Sequence, residues 1–466
     1  MESTRYASPF SWRYGRPELR ELFSERERRR LWRRVWVALA ESQHRSGLVT
    51  QEELDDLRAH VDEVDLDAAL AIEREIHHDL MAEIRVYASQ AKIGGRKLHL
   101  GATSMDIEDA VEVYRMRTAL SILTRSLREL LALFASAIRR WANLVCVGYT
   151  HLQPAEPTTV GYRLAVYAQD LLIDEGNLRF ARENFSAKGI RGAVGTSASY
   201  CRLLEGTGRT ARQQEEEILA VFNLPAREVS NQTYPRKLDY LALTALAGLG
   251  ASLSKFAADV RILSAPGFGE MFEPFGTNQV GSSAMPFKRN PVMSERIDSL
   301  ARLLPAYADV AWQNASTNYL ERTLDDSANR RTILPEAILC ADEILSLARN
   351  IVEGLRIDER RIAENLRTYG PFSGTEAVMM ETTKAGGDRQ ALHEVIRTAS
   401  MRAWAAIAAG ESNPLARVLA DEPAITAYID PAEIRARLDP TTHVGDAPER
   451  AERLAKQIDA LMETTE

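Results

Sequence analysis

The sequence predicts an all-α protein of three helical regions, the middle one a long five-helix bundle. Three observations predict it. First, between 116 and 134 apolar residues fall at Met116, Leu120, Leu123, Leu127, Leu130 and Phe134, in alternating steps of four and three. That is an a/d heptad seam, which wants partner helices along its length. Second, similar long patterns run from about Val160 to Phe185, Asp239 to Leu263, Ser294 to Ala315 and Ile333 to Leu355. Helices of such length point to an elongated bundle. Third, no stretch shows the sustained period-two alternation of a sheet, and no internal repeat appears.

The regions follow in order along the chain. Residues 1–105 read as shorter helices. One opens at Ser24 with Glu27 three residues on, the signature of a capping box. Its arginines read as a solvated face, with Leu31, Trp32 and Trp36 inward, in preference to a nucleic-acid patch. Residues 106–356 hold the long helices and are interrupted by a Gly- and Pro-rich loop, 265–293. Residues 357–466 break into shorter, punctuated segments (YGPFSG, KAGGDRQ, IDPAEI), a small third helical region. The pair Gly248 and Gly250 lacks a dinucleotide fingerprint's third Gly and preceding strand, and reads as close helix contacts.

Composition narrows the function classes. A chain of 466 residues, 45% hydrophobic and 27% charged, is globular and large enough for a sizeable core. A formal net charge of −8 gives no global basic field for nucleic acid. Three widely spaced cysteines (Cys146, Cys201, Cys340) imply a reducing compartment, not a disulfide framework. The N-terminal residues lack the apolar core of a signal peptide, and no run approaches the roughly 18 apolar residues of a membrane span. A cytoplasmic protein is expected.

Five segments carry residues suited to chemistry. IHHDLMAE holds His77, His78 and Asp79; neighbouring histidines point about 100° apart on a helix, so they make poor joint metal ligands. LHLGATSMDIED holds His99, Thr103, Ser104, Asp106 and Asp109, and reads either as a plain helix N-terminus or as a carboxylate cradle. GYTHLQPAEPTT places Thr150 and His151 at a junction, where a histidine serves either as a general acid or as a structural hydrogen-bonder. GSSAMPFKRNP, residues 281–291, combines Gly281, Ser282, Ser283, Lys288, Arg289 and Asn290 with no acid. With the segment before it, roughly 25 residues between two long helices lack helix preference, which favours a functional lid over a linker. ERTLDDSANRR gathers Arg322, Arg330 and Arg331 near Ser327, suited to phosphate or carboxylate, although Asp325 and Asp326 could neutralise them.

Together these segments resemble the fumarase/aspartase superfamily, whose signature has the general form GSSxMPxKxNP. Within it the chain is most similar to the adenylosuccinate lyase family, particularly the form found in animals. FSWRYGRPE, HLGATS, GYTHLQPAE, NQTYPRKLD, SSAMPFKRNP, ERTLDDSANRR and KAGGDRQALHEVIR carry the similarity over residues 5 to 400, and it weakens beyond. The resemblance implies three α-helical domains, the middle ones of four subunits joined in a tetrameric helical core, with each active site shared among three subunits. It implies a carbon–nitrogen lyase without metal or organic cofactor. Such an enzyme eliminates fumarate from adenylosuccinate, giving AMP, and from succinylaminoimidazole carboxamide ribotide.

By the same resemblance Ser282 is the base, His151 the acid and Glu295 the residue that orients His151. Lys288 and Asn290, with Thr103 and Ser104, hold the succinyl carboxylates. His78 touches the substrate near the phosphate and supports His151, and Asp79 and Thr150 lie in matching binding segments. Arg13 and Tyr14, with Arg322, Ser327 and Arg331, match phosphate- and ribose-contacting positions, and Gln232 and Arg296 match further binding positions. One departure bears on substrate: Ala110 stands where the family usually has Asn or Thr. It keeps open an alternative, a superfamily C–N lyase acting on a different succinylated amine.

Overall fold

The computed structural model describes residues 6–463; the outermost residues of the first and last predicted regions lie outside it. Long helices dominate: Ser104–Arg140, Val160–Asn184, Lys237–Ser264 and Ser327–Glu353. All six residues of the heptad seam are fully buried, and near its end Phe134 meets Phe256 edge-on at 5.3 Å between ring centroids. The expected helix from Ser294 to Ala315 is two helices, Val292–Ala301 and Leu303–Thr317. Pro305 accounts for the break, because it has no N–H to give to Ala301 four residues back and its ring crowds that carbonyl.

Helix Lys237–Ser264 is long and apolar enough for a membrane span, with a mean hydropathy of 1.4 over its best stretch. It buries Leu243, Leu246, Leu249, Leu253, Phe256 and Val260, so its apolar surface is spent on a bundle core. The two glycines in it behave as expected. A Cβ on Gly250 would lie 2.7 Å from Leu304, and one on Gly248 3.3 Å from Asp174.

Two small antiparallel pairs depart from the sheet-free expectation. Val145–Thr150 pairs with Gln153–Thr159, and Met271–Phe272 with Arg356–Ile357. The helical class is unaffected.

The described residues form two compact units. The first comprises residues up to Ser126, Asp174–Ala251 and Ser299–Leu345. In it, helix Glu25–Arg45 buries Leu31, Trp32 and Trp36. Ser24 accepts the Glu27 N–H at 3.2 Å, while the Glu27 carboxylate turns to Arg30, so half of the expected capping box forms. Its arginines are not all on a solvated face. Arg29 and Arg33 are fully buried and share Glu83, with Arg33 Nε at 2.6 Å. Buried guanidinium is tolerated only when paired in this way.

The second unit comprises Leu127–Ile173, Ser252–Asp298 and the residues from Ser346 on. Its C-terminal helices close around a cluster that includes Val378, Leu392, Leu415, Leu419, Ile425 and Ile434.

Candidate active site

In the first unit, the histidine pair marks a break between helices Leu66–Ile76 and Asp79–Gln90. His77 caps the first helix with φ +55°, and His78 caps the second, its Nδ1 accepting the Met81 N–H at 3.4 Å. His78 Nε2 faces Ser104 Oγ at 3.5 Å. Thr103 and Ser104 open helix Ser104–Arg140, as the N-terminus reading expects, and Asp106 accepts the Thr103 N–H at 3.0 Å. Asp106 is itself fully buried against Lys188 at 2.5 Å and the N–H groups of Arg191 and Gly192. The turn before it needs Gly101 at φ +80°, where a Cβ would press on Tyr200. His99 accepts from the Trp36 indole N–H at 3.0 Å, and burial pushes its pKa down to about 4.

Asp79 is nearly buried and holds Arg331 at 2.7 Å and Arg28 at 3.6 Å. These two guanidinium groups outweigh burial and keep its carboxyl below the usual range. Arg331, Arg28, Arg322 and Ser327 line one cleft with Glu108. The 321–331 segment is tied down from behind: Asp326 accepts from Arg236 at 2.6 Å and Arg322 at 2.9 Å, and Asp109 accepts from Arg236 at 3.2 Å. Gln232 joins the same scaffold, its N–H donating to the Glu321 carbonyl at 3.2 Å. Arg330 pairs with Asp239 at 2.7 Å. The acids therefore fix the arginines without filling the cleft. Arg13 and Tyr14 are not brought to it; Arg13 lies over the Trp12 and Tyr14 rings, 5.7 and 5.8 Å from their centroids. Ala110 is buried and does not line it.

In the second unit, Thr150 and His151 stand at the tip of the first β-hairpin. The two turn residues are His151 and Leu152, at φ +53° and +61°, the pattern of a type I′ turn. The hairpin is braced below: Tyr149 Oη donates to Glu270 at 3.0 Å, and Arg163 reaches both Glu270 (3.2 Å) and the Val147 carbonyl (2.6 Å).

The Gly- and Pro-rich loop lies in the same unit. Glu273 joins its two ends by accepting from Met293 N (3.0 Å), Ser294 N (2.9 Å) and Ser294 Oγ (2.8 Å). Asn290 Nδ2 donates to the Gly281 carbonyl at 2.9 Å, and a Cβ on Gly281 would collide with the Lys288 carbonyl. Inside this turn Ser282 Oγ accepts the N–H groups of Met285 (3.0 Å) and Ala284 (3.3 Å). Lys288 and Glu295 are exposed, and Arg296 lies on helix Val292–Ala301. Among the described residues no hydrogen bond or ion pair joins His151 to Glu295. Nor do three or more His, Cys, Asp or Glu side chains converge as metal ligands would.

A family model described as lyase matches residues 13–303, and one described as adenylosuccinate lyase C-terminus matches residues 371–454. An adenylosuccinate lyase of Schizosaccharomyces pombe is 36% identical over 453 residues, covering 96% of this chain and 93% of its own. The chain belongs to the adenylosuccinate lyase family. Adenylosuccinate lyases of Schistosoma mansoni (36% identical, 97% of this chain and 94% of that one) and Archaeoglobus fulgidus (33%, 97% and 99%) agree. Among solved structures, 3-carboxy-cis,cis-muconate lactonizing enzyme from Pseudomonas putida matches with TM-score 0.85 and 26% identity, covering 97% of this chain and 99% of that one. A fumarate lyase from Mesorhizobium sp. BNC1, at 24% identity with TM-score 0.83, covers 97% and 99% and shares the fold.

Membership in the adenylosuccinate lyase family makes this a carbon–nitrogen lyase. Sequence reasoning missed several residues that hold its candidate site. Arg28 sits in a helical stretch that reads as a solvated face, and Glu108 lies within the LHLGATSMDIED segment but is passed over there in favour of Asp106 and Asp109. Glu270 and Glu273 lie inside the 265–293 loop, upstream of its acid-free stretch 281–291, and as the only two acids in a Gly- and Pro-rich segment they were a signal available from the sequence.

Proposed function

We propose that this protein eliminates fumarate from adenylosuccinate to leave AMP, and from the succinylated carboxamide ribotide by the same step. Beyond family membership, the observation that carries the reading is the surroundings of Ser282 Oγ. A serine hydroxyl is a poor base at neutral pH, and two backbone N–H groups aimed at its oxygen favour the ionised form. Lys288, three residues beyond Met285 and exposed, adds positive charge when the loop closes over substrate.

The step balances simply. Ser282 Oγ takes the proton from the carbon beside the succinyl carboxylate. The electron pair left behind forms the carbon–carbon double bond of fumarate, and the carbon–nitrogen bond breaks. His151 gives a proton to the departing nitrogen, with Glu295 orienting it. Asn290, Thr103 and Ser104 bind the succinyl carboxylates, and His78 supports the acid. Arg322, Ser327 and Arg331 receive the nucleotide phosphate, with Gln232, Asp79, Arg296, Thr150, Arg13 and Tyr14 as further contacts.

The reading includes a cytoplasmic location, the division into regions 1–105, 106–356 and 357–466, and a homotetramer whose sites draw residues from several subunits. Helix Val160–Asn184 supports the tetramer. Val166, Ile173 and Phe180 are 47%, 60% and 55% exposed at seven-residue intervals, an apolar stripe without cover. Ultraviolet absorbance of purified protein mixed with adenylosuccinate tests the activity, and light scattering tests the mass. Failure on adenylosuccinate, with cleavage of another succinylated amine, would instead support the alternative lyase.

A further inference from the structure

Glu108 stands apart within the arginine-lined cleft. Among the described residues its carboxyl forms no hydrogen bond or ion pair, whereas the guanidinium groups beside it already hold acids. Arg28 lies on Glu25 at 2.8 Å, Arg331 on Asp79 at 2.7 Å and Arg322 on Asp326 at 2.9 Å. Arg330 holds Asp239 at 2.7 Å and Arg115 holds Glu112 at 3.4 Å. Their charge is thus largely matched before Glu108 is counted. The charged groups facing the cleft come from three directions. Helix Glu25–Arg45 offers Glu25 and Arg28; Glu108's own helix offers Asp109, Glu112 and Arg115; and the 322–331 segment offers three arginines. Asp79, at the start of its helix, acts on Glu108 through space. Burial first, then Asp79, raises the Glu108 carboxyl to about 8; Asp109 adds to the rise, and Arg28 and Arg331 oppose it.

We propose that Glu108 makes nucleotide binding proton-linked: it meets the substrate phosphate as the neutral acid, donates one hydrogen bond to it, and repels the nucleotide once ionised. This rests on the reading of the cleft as the phosphate end of the site. The chemistry follows from charge. A phosphate monoester is a dianion above its second pKa of roughly 6. It brings more negative charge to a cleft already lined by Glu25, Asp109 and Glu112, with Asp79 behind Arg28 and Arg331. A carboxylic acid offers that dianion a donor; a carboxylate offers only repulsion. Between pH 7.5 and 9 the phosphate does not titrate, so the proton exchanged there belongs to the protein.

The test is calorimetric titration of AMP into the full-length protein from pH 7 to pH 9, in two buffers of different ionisation enthalpy, for wild type and Glu108→Gln. If only the neutral acid binds, wild-type affinity falls about tenfold over that range, with uptake approaching one proton per AMP at the upper end. Glu108→Gln keeps its affinity within about twofold across the range and takes up no proton, because an amide donates at every pH. Two results overturn the proposal: a wild type without proton uptake between pH 7.5 and 9, or a variant with the wild-type slope. The first needs no variant at all. If the wild type neither binds AMP nor cleaves adenylosuccinate, the functional reading itself fails. If it does both and Glu108 leaves the pH dependence untouched, only this inference fails.

Discussion

Arg331 Nη2 meets Asp79 Oδ2 at 2.7 Å across 252 positions of sequence. The arginine is about half exposed and the acid nearly buried, so the pair works as a post: Asp79 fixes the guanidinium while its outer face stays open to the cleft. Leu80 N–H, at 2.8 Å from Asp79 Oδ1, holds the acid in turn. Asp79→Asn keeps the shape and removes the charge. The expected outcome is a rise of about tenfold or more in KM for adenylosuccinate with a smaller change in kcat, because the lost interaction serves binding in ground and transition states alike. Steady-state kinetics check it. A loss confined to kcat would contradict the role given to Arg331.

Ser282→Ala removes the atom on which the Ala284 and Met285 N–H groups converge. Loss of a positioned base costs on the order of 10²–10⁴ in rate. The variant is therefore expected to lose kcat by that factor while its affinity for AMP, read by calorimetry, stays within about threefold of wild type. Ser283→Ala is the control, since Ser283 is exposed and neither of these N–H groups bonds to it. Equal losses in both variants would move the base away from Ser282.

The long helices were legible because burial writes itself into sequence at period 3.5 to 3.6, and the seam from Met116 to Phe134 buries all six of its members. Pairings across distance were not. Arg29 and Arg33 read as a solvated face because Glu83, the acid that allows their burial, lies fifty or more positions away. The hairpin was hidden for a local reason. Two-residue turns of its type announce themselves by Asn-Gly or Asp-Gly, and here His151 and Leu152 adopt the same backbone. The residue types proposed for the site come from motif resemblance. The cleft's wiring was not legible, since Glu108, Asp79 and Arg331 come from three separate segments and no local pattern joins them.

Leu152 at φ +61° occupies a region that a branched, bulky residue enters only at a cost of roughly 1–2 kcal/mol. Leu152→Gly releases that strain and also frees the turn that carries His151. The expected result is a melting temperature equal to or above wild type together with a severalfold lower kcat. Thermal unfolding and kinetics on the same sample check the pair. A variant that melts lower would show that the exposed Leu152 side chain, not the backbone, stabilises the tip.

Glu108 gives a pH dependence of stability whose sign is opposite to that of a salt-bridged acid. In the unfolded chain its carboxyl ionises near 4.5; in the folded chain it holds its proton up to about 8. Between those values the folded state binds more protons than the unfolded one, so stability from this group falls as pH rises through the window. Below pH 4.5 both states are protonated and the group is neutral to stability. Glu108→Gln cannot ionise and escapes the penalty. Its melting temperature should match wild type near pH 4.5 and exceed it increasingly toward pH 8, by on the order of a few degrees. Paired thermal melts at pH 5, 6, 7 and 8 measure the difference. A gap that stays constant across the series would mean that Glu108 ionises with an ordinary carboxylate pKa, and that the acids around it do not hold its proton.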